Sequence, residues 1–149
     1  MSDKYETIRL KNQLCYPLYL CAKEVTRRYA PFLEALDLTY TQYVVMMYLW
    51  EEDGCTVHKM GEELMLDPST LTPLLKKLEG KGYITRTRSE TDERSLNIVL
   101  TETGAGLKEK ALGIPAQMKC CIGLTPEEGE TLCRLITKVL ENIGNSEKE

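Results

Sequence analysis

The chain has 149 residues, 42% of them hydrophobic and 28% charged, with a net charge of −4. That is the length of one domain with enough apolar residues for a core, and no apolar run of about 18 residues could span a membrane. The start, Met1-Ser2-Asp3-Lys4-Tyr5-Glu6, lacks an apolar signal region, so a cytoplasmic address and no membrane partner are expected. Six cysteines (15, 21, 55, 120, 121 and 133) and the single His58 make no CxxC pair, so neither a metal nor a cofactor is expected.

The first element spans roughly residues 9–29, with Leu14, Leu18, Cys21 and Val25 as its apolar stripe. Pro17 sits within it, so the helix either starts near Cys15 or bends there. A start at Cys15 puts that thiol at a helix N-terminus, where the dipole favours negative charge. Pro31 is expected to break the run, leaving Phe32 to Leu36 as a short helix and Asp37-Leu38-Thr39 as a connector. Residues 41–50 are apolar almost all round and read as a centrally buried helix, closed by Glu51-Glu52-Asp53-Gly54.

The chain is organised around residues 56–100. Thr56 is a plausible N-cap for a helix from Val57 to Leu64 with Val57, Met60 and Leu64 on its apolar side. Met65-Leu66-Asp67 then separates it from a second helix, Pro68 to Glu79, an arrangement that fits a helix-turn-helix. Asp67 and Pro68 make a good N-cap and first-position pair. Leu71, Leu74, Leu75 and Leu78 form one face at helical spacing, with Ser69, Thr70, Thr72, Lys76 and Lys77 on the others. Short hydroxyls near a helix start and lysines further along suit a helix whose N-terminal end meets base edges and phosphates. Gly80-Lys81-Gly82 stops it.

Two strands follow, Ile84 to Arg88 and Ser95 to Leu100, the second alternating with Leu96, Ile98 and Leu100 on one side. They form a wing with a charged tip, Ser89 to Arg94, and arginine on such a tip suits a narrow minor groove. Residues 68–100 hold six Lys and Arg against four acids, a local +2 that leaves −6 for the rest. That modest asymmetry points to nucleic acid bound by a dimer presenting two such surfaces. Thr101 caps a long helix carrying Leu107, Ala111, Ile114 and Met118, with a bend expected at Gly113 and Pro115. Thr125-Pro126-Glu127-Glu128 is a capping box. The last helix carries Leu132, Leu135, Ile136, Val139, Leu140 and Ile143, a stripe long enough to suggest a helical homodimer interface. The tail from Gly144 is expected to be unstructured.

Lys11-Asn12-Gln13-Leu14-Cys15, Tyr40-Thr41-Gln42-Tyr43, Lys59-Met60-Gly61-Glu62, Leu71 to Lys77 and Asp92-Glu93-Arg94-Ser95 span most of the chain. With these stretches in this layout, the sequence resembles the MarR-type winged-helix repressors, and within them the branch that senses organic hydroperoxides. The resemblance implies a mainly α fold with a small β-wing. It implies one domain over 1–149, with a winged helix-turn-helix at about 56–100 and dimerisation helices at about 9–36 and 102–143. It further implies that Cys15 is the redox-sensing thiol and that Tyr29 and Tyr40 hydrogen-bond its sulfur, with Tyr19, one turn along, in support. Fourteen residues of straight helix separate Cys15 from Tyr29 by about 21 Å, so such a bond requires the partner subunit.

A thiolate attacking a peroxide gives a sulfenic acid that a second thiol can trap. Cys120 and Cys121 occupy the region where some relatives of the resembled branch carry a resolving cysteine, and one of them is expected to pair with Cys15 of the other subunit, the alternative being capping by a small cellular thiol. Cys21, Cys55 and Cys133 read as small buried hydrophobes. Met46 and Met47 are expected to line an apolar peroxide pocket. The DNA partner would be a double-stranded palindromic operator, with Ser69, Thr70 and Thr72 facing bases and Lys76, Lys77, Arg86, Arg88, Asp92 and Arg94 serving phosphates and the wing contact. The chain is not expected to be an enzyme. The competing readings are a MarR-type regulator that answers a phenolic or other small ligand and a cysteine-based peroxidase.

Overall fold

The computed structural model describes residues 4–88 and 95–146. The wing tip, residues 89–94, lies outside the described residues, and with it Asp92 and Arg94. Contacts divide the chain into two units, residues 1–114 and 115–149, described in turn.

Two 3-10 turns, Glu6–Ile8 and Leu10–Asn12, lead into α1, Cys15–Glu34. The helix starts at Cys15, so Pro17 stands in its first turn, where a missing N–H has no intrahelical bond to lose. Pro31 does not break the run: it lies inside α1, and Phe32 to Leu36 is not a separate helix. The missing donor there is outweighed by the burial of Leu33 and Leu36 at the helix end.

Thr39, expected to be mere connector, caps α2, Tyr40–Glu51, in a full capping box. The Thr39 hydroxyl accepts from Gln42 N at 3.4 Å, and Gln42 Oε1 accepts from Thr39 N at 3.0 Å. As its all-round apolarity predicts, α2 is central, with Tyr43, Val45, Met46 and Leu49 buried.

A two-residue strand, β1, Cys55–Thr56, precedes α3, Val57–Leu64, which Thr56 caps by accepting from Lys59 N at 3.2 Å. Met65 turns the chain in a left-handed conformation, φ 52°, toward α4, Pro68–Gly80. Leu71, Leu74, Leu75 and Leu78 of α4 are all buried, as their spacing predicts. Asp67 stands at the N-cap position, but its side chain makes no capping bond. Gly82, at φ 74°, reverses the chain into β2, Ile84–Arg88, a conformation that favours glycine.

Strand β3, Leu96–Leu100, lies between β1 and β2 in an antiparallel sheet of order β1-β3-β2. The hairpin register pairs Ile84 with Leu100 and Arg88 with Leu96. The third strand, β1, has two residues, too few to show alternation in the sequence. Only Ile98 of β3's expected inner face is fully buried, because Leu96 lies out toward the wing tip.

Helix α5, Glu102–Ala111, begins at the Thr101 cap and is separate from α6, Ile114–Ile122, rather than one bent helix with it. Gly104 is required where α5 meets the sheet: a Cβ there would overlap the Tyr83 carbonyl. Its own carbonyl accepts from Trp50 Nε1 at 3.0 Å. In the second unit, α7, Pro126–Ser146, follows a closed Thr125/Glu128 box, with Thr125 N to Glu128 Oε2 at 2.9 Å and Glu128 N to Thr125 Oγ1 at 3.3 Å. Residues 144–146, expected to be unstructured, continue this helix. The six apolar residues of its stripe are between 39% and 55% exposed.

Two substitutions test this framework by thermal unfolding. Gly104→Ala should cost about 2 kcal/mol or more, because the obstacle is backbone and cannot rotate away. Thr39→Ala should cost about 1 kcal/mol by opening the α2 box.

Candidate functional site

Cys15 is the first residue of α1 and is exposed. Tyr19, four residues on and 63% exposed, shares its face of the helix. Tyr29 lies near the other end of the same helix, about 21 Å away along the axis. There α1 meets α2 and brings Tyr29 to Tyr40 with ring centroids 4.8 Å apart and planes tilted by 52°. Buried Tyr43 backs the pair, 5.9 Å from Tyr29. Burial, and then the neighbouring Tyr40 and Tyr43, push the Tyr29 phenol above its ordinary value of 10.0. It therefore keeps its proton near neutral pH and remains a hydrogen-bond donor. A cavity of about 600 Å³ opens beside Tyr40, walled by Thr26, Ala30 and Pro31 of α1 and by Leu38 and Thr39.

Two sequence expectations need correction, at Cys21 and Cys133. Met46 is wholly buried in the core of the first unit, while Met47 beside it is half-buried. Cys21 and Cys133 are exposed rather than buried, since both sit on helices whose apolar faces are open to solvent. Cys55 is buried as expected, and burial pushes its thiol up, away from the reactive thiolate. Cys120 and Cys121 are exposed on α6, and all six cysteines are free thiols. Among the described residues no cluster of His, Cys, Asp and Glu could hold a metal ion. No helix among them is long and apolar enough to cross a membrane.

Helix α4 presents Ser69, Thr70, Thr72, Lys76 and Lys77 to solvent, opposite its buried leucines. Arg88 ends β2, exposed. Arg86 is turned inward instead. Its Nε and Nη2 both donate to Glu79 Oε2, at 2.9 and 2.6 Å, pinning the wing to the end of α4. Below α4 an open groove of about 660 Å³ runs between Leu66, Leu71 and Leu75 on one side and Arg86 and Leu96 on the other.

Residues 27–111 match the transcriptional regulator SarA/Rot family. The chain is 50% identical over 135 residues to the organic hydroperoxide resistance transcriptional regulator of Bacillus subtilis (strain 168), covering 91% of this chain and 90% of that one. A MarR variant from E. coli complexed with operator DNA superposes with a TM-score of 0.80 at 25% identity, over 93% of this chain and 99% of that one. This chain belongs to the organic-hydroperoxide branch of the MarR family. Its winged helix-turn-helix is the MarR-type DNA-binding fold. Reduced AbfR bound to DNA, a protein of Staphylococcus epidermidis, aligns with a TM-score of 0.78 at 33% identity, over 94% of this chain and 97% of that one. The disulfide form of AbfR aligns with 0.64 at 34% identity, over 92% and 96%.

The Glu79–Arg86 pair of this MarR-type wing leaves a pH signature. The Arg86 guanidinium holds the Glu79 carboxyl below its ordinary value of 4.5. An acid whose folded-state pKa is depressed stabilises the fold above its unfolded pKa and loses that contribution as pH falls through the folded one. Below pH 4.5 the melting temperature of wild type should therefore fall more steeply than that of Glu79→Gln, and identical slopes would remove the pair from the account.

Proposed function

We propose that two copies of this chain form a repressor that binds a palindromic double-stranded operator and releases it when an organic hydroperoxide oxidises Cys15. The observation that carries this reading is the separation of Cys15 from the tyrosine pair. Tyr29 and Tyr40 are brought together at 4.8 Å, while the Cys15 of the same chain lies about 21 Å along the helix. Two α1 helices crossing antiparallel would bring each thiol to the tyrosine pair of the other subunit, where the phenols can donate to its sulfur. The open apolar residues fit such a dimer. Leu14 and Leu18 flank Cys15, and α7 carries six more. Full burial of side chains of this kind stabilises by about 1.5–3 kcal/mol each, so covering them favours association.

The chemistry is stoichiometric. The Cys15 thiolate attacks one peroxide oxygen, the O–O bond breaks, and the alkoxide leaves and takes up a proton. The resulting sulfenic acid condenses with a second thiol, losing water and forming a disulfide. Cys120 or Cys121 of the other subunit is the proposed second thiol, both being exposed. The unequal likeness to AbfR's reduced, DNA-bound form and to its disulfide form, at near-equal identity, supports a rearrangement on oxidation. In the reduced dimer, the two α4 helices would enter successive major grooves about 34 Å apart. Ser69, Thr70 and Thr72 would face base edges, with Lys76, Lys77 and Arg88 near phosphates. Asp92 and Arg94 belong to the proposed wing contact, and Arg86 serves by holding the wing.

The test is fluorescence anisotropy on a labelled operator fragment from the chain's own upstream region, before and after cumene hydroperoxide. Wild type should release the DNA and Cys15→Ser should not; release of both, or of neither, refutes peroxide sensing by Cys15. A non-reducing gel of the oxidised protein should show a crosslinked dimer that is lost in a Cys120→Ser/Cys121→Ser variant. Monomer in both lanes would refute the intersubunit disulfide.

A further inference from the structure

We propose that Lys81 is the positioning residue that couples the sensor corner to the recognition helix, through a polar joint with Gln42, Asp37 and the Tyr83 hydroxyl. This inference rests on the proposed peroxide-sensing function and says how the signal leaves Tyr40.

The corner between α1 and α2 carries Tyr40 inside the Thr39 capping box. Gln42, which closes that box, is the one buried polar side chain among the described residues. Its Oε1 accepts from Thr39 N at 3.0 Å and also from Lys81 Nζ at 3.4 Å. The same Lys81 Nζ donates to the Asp37 carbonyl and lies 3.1 Å from Asp37 Oδ1. Asp37 presents that carbonyl from a left-handed conformation, φ 50°. A second tie runs parallel, the Tyr83 hydroxyl donating to the Leu36 carbonyl at 3.0 Å.

The far side of the joint is anchored just as firmly. Lys81 is the C-cap residue of α4, its N–H bonded to the carbonyls of Lys77 and Glu79. Tyr83 leads into the wing, and its carbonyl accepts from Thr101 N at 3.1 Å. The Tyr40 corner is thus tied directly to the end of α4 and to the root of the wing. Directional bonds to a buried amide hold one register, so a rotation of the α2 start is passed on rather than absorbed. Helix α4 has 13 residues, about 20 Å, and a tilt of about 10° at its Lys81 end moves its Ser69 end by about 3 Å. That displacement equals a hydrogen-bond length, enough to lose base contacts. The Lys81 ammonium is committed to this joint and its side chain is 26% exposed, which separates it from the open Lys76 and Lys77.

The experiment compares wild type, Lys81→Arg and a Lys81→Met/Tyr83→Phe double variant by operator anisotropy with and without cumene hydroperoxide. Cys15 oxidation is followed by mass spectrometry and folding by thermal melts. Wild type and Lys81→Arg should weaken on oxidation by about tenfold or more, within the usual range of allosteric coupling. The double variant should bind in the reduced state within about threefold of wild type, oxidise at Cys15 to the same extent, and weaken by less than about threefold. Full release by the double variant would overturn the joint. Loss of its reduced-state binding would also overturn it, by placing Lys81 in the DNA interface. Wild type that oxidises without releasing DNA would instead refute the function on which the joint rests.

Discussion

A straight α-helix cannot fold back on itself, and that constraint shapes everything proposed for this chain. Cys15 and Tyr29 belong to the same 20-residue helix, so its rigidity keeps them about 21 Å apart. The tyrosines are gathered at one end by the packing of α1 on α2, and the thiol is presented at the other. A sensor assembled from these parts needs two chains. Chemistry at an interface between subunits has an advantage over chemistry in a core, because subunits can shift as rigid bodies while a close-packed core resists.

The proposed shift would be carried by the first unit. Buried Leu71, Leu74, Leu75 and Leu78 make α4 part of the core, so it moves with its surroundings. Arg86 and Glu79 clamp the wing to α4, and Lys81 with Tyr83 fasten both to the corner that holds Tyr40. Surface ion pairs contribute little energy as a rule. Their value here is geometric, since each fixes an angle between elements that must arrive together on the DNA.

Much of this was legible in the residues because it depends on local rules. The leucine spacing of α4 reported its buried face, and the threonines at 56, 101 and 125 reported helix starts that the structure places there. Local rules failed where tertiary contacts decide. Pro31 reads as a breaker, yet buried Leu33 and Leu36 keep α1 running past it. Asp67 has the right residue type for a cap but makes no capping bond. Arg86 looked like one more basic residue of the wing until its partner Glu79, seven residues back, came into view. The Lys81 joint links positions 39 and 44 residues apart, beyond any periodicity. Tyr29 and Tyr40 lie with ring centroids 4.8 Å apart; their bonds to a Cys15 sulfur and the role of that thiol belong to the proposed dimer.

The central claim is that each sensor draws its thiol from one subunit and its phenols from the other. It is tested most directly by mixed dimers of a Cys15→Ser chain with a Tyr29→Phe/Tyr40→Phe chain, following peroxide oxidation of the remaining Cys15. An intersubunit sensor leaves one complete site in that dimer, so its thiol should oxidise at the wild-type rate. Oxidation as slow as in the Tyr29→Phe/Tyr40→Phe homodimer would mean that thiol and tyrosines act within one chain, and would contradict the account.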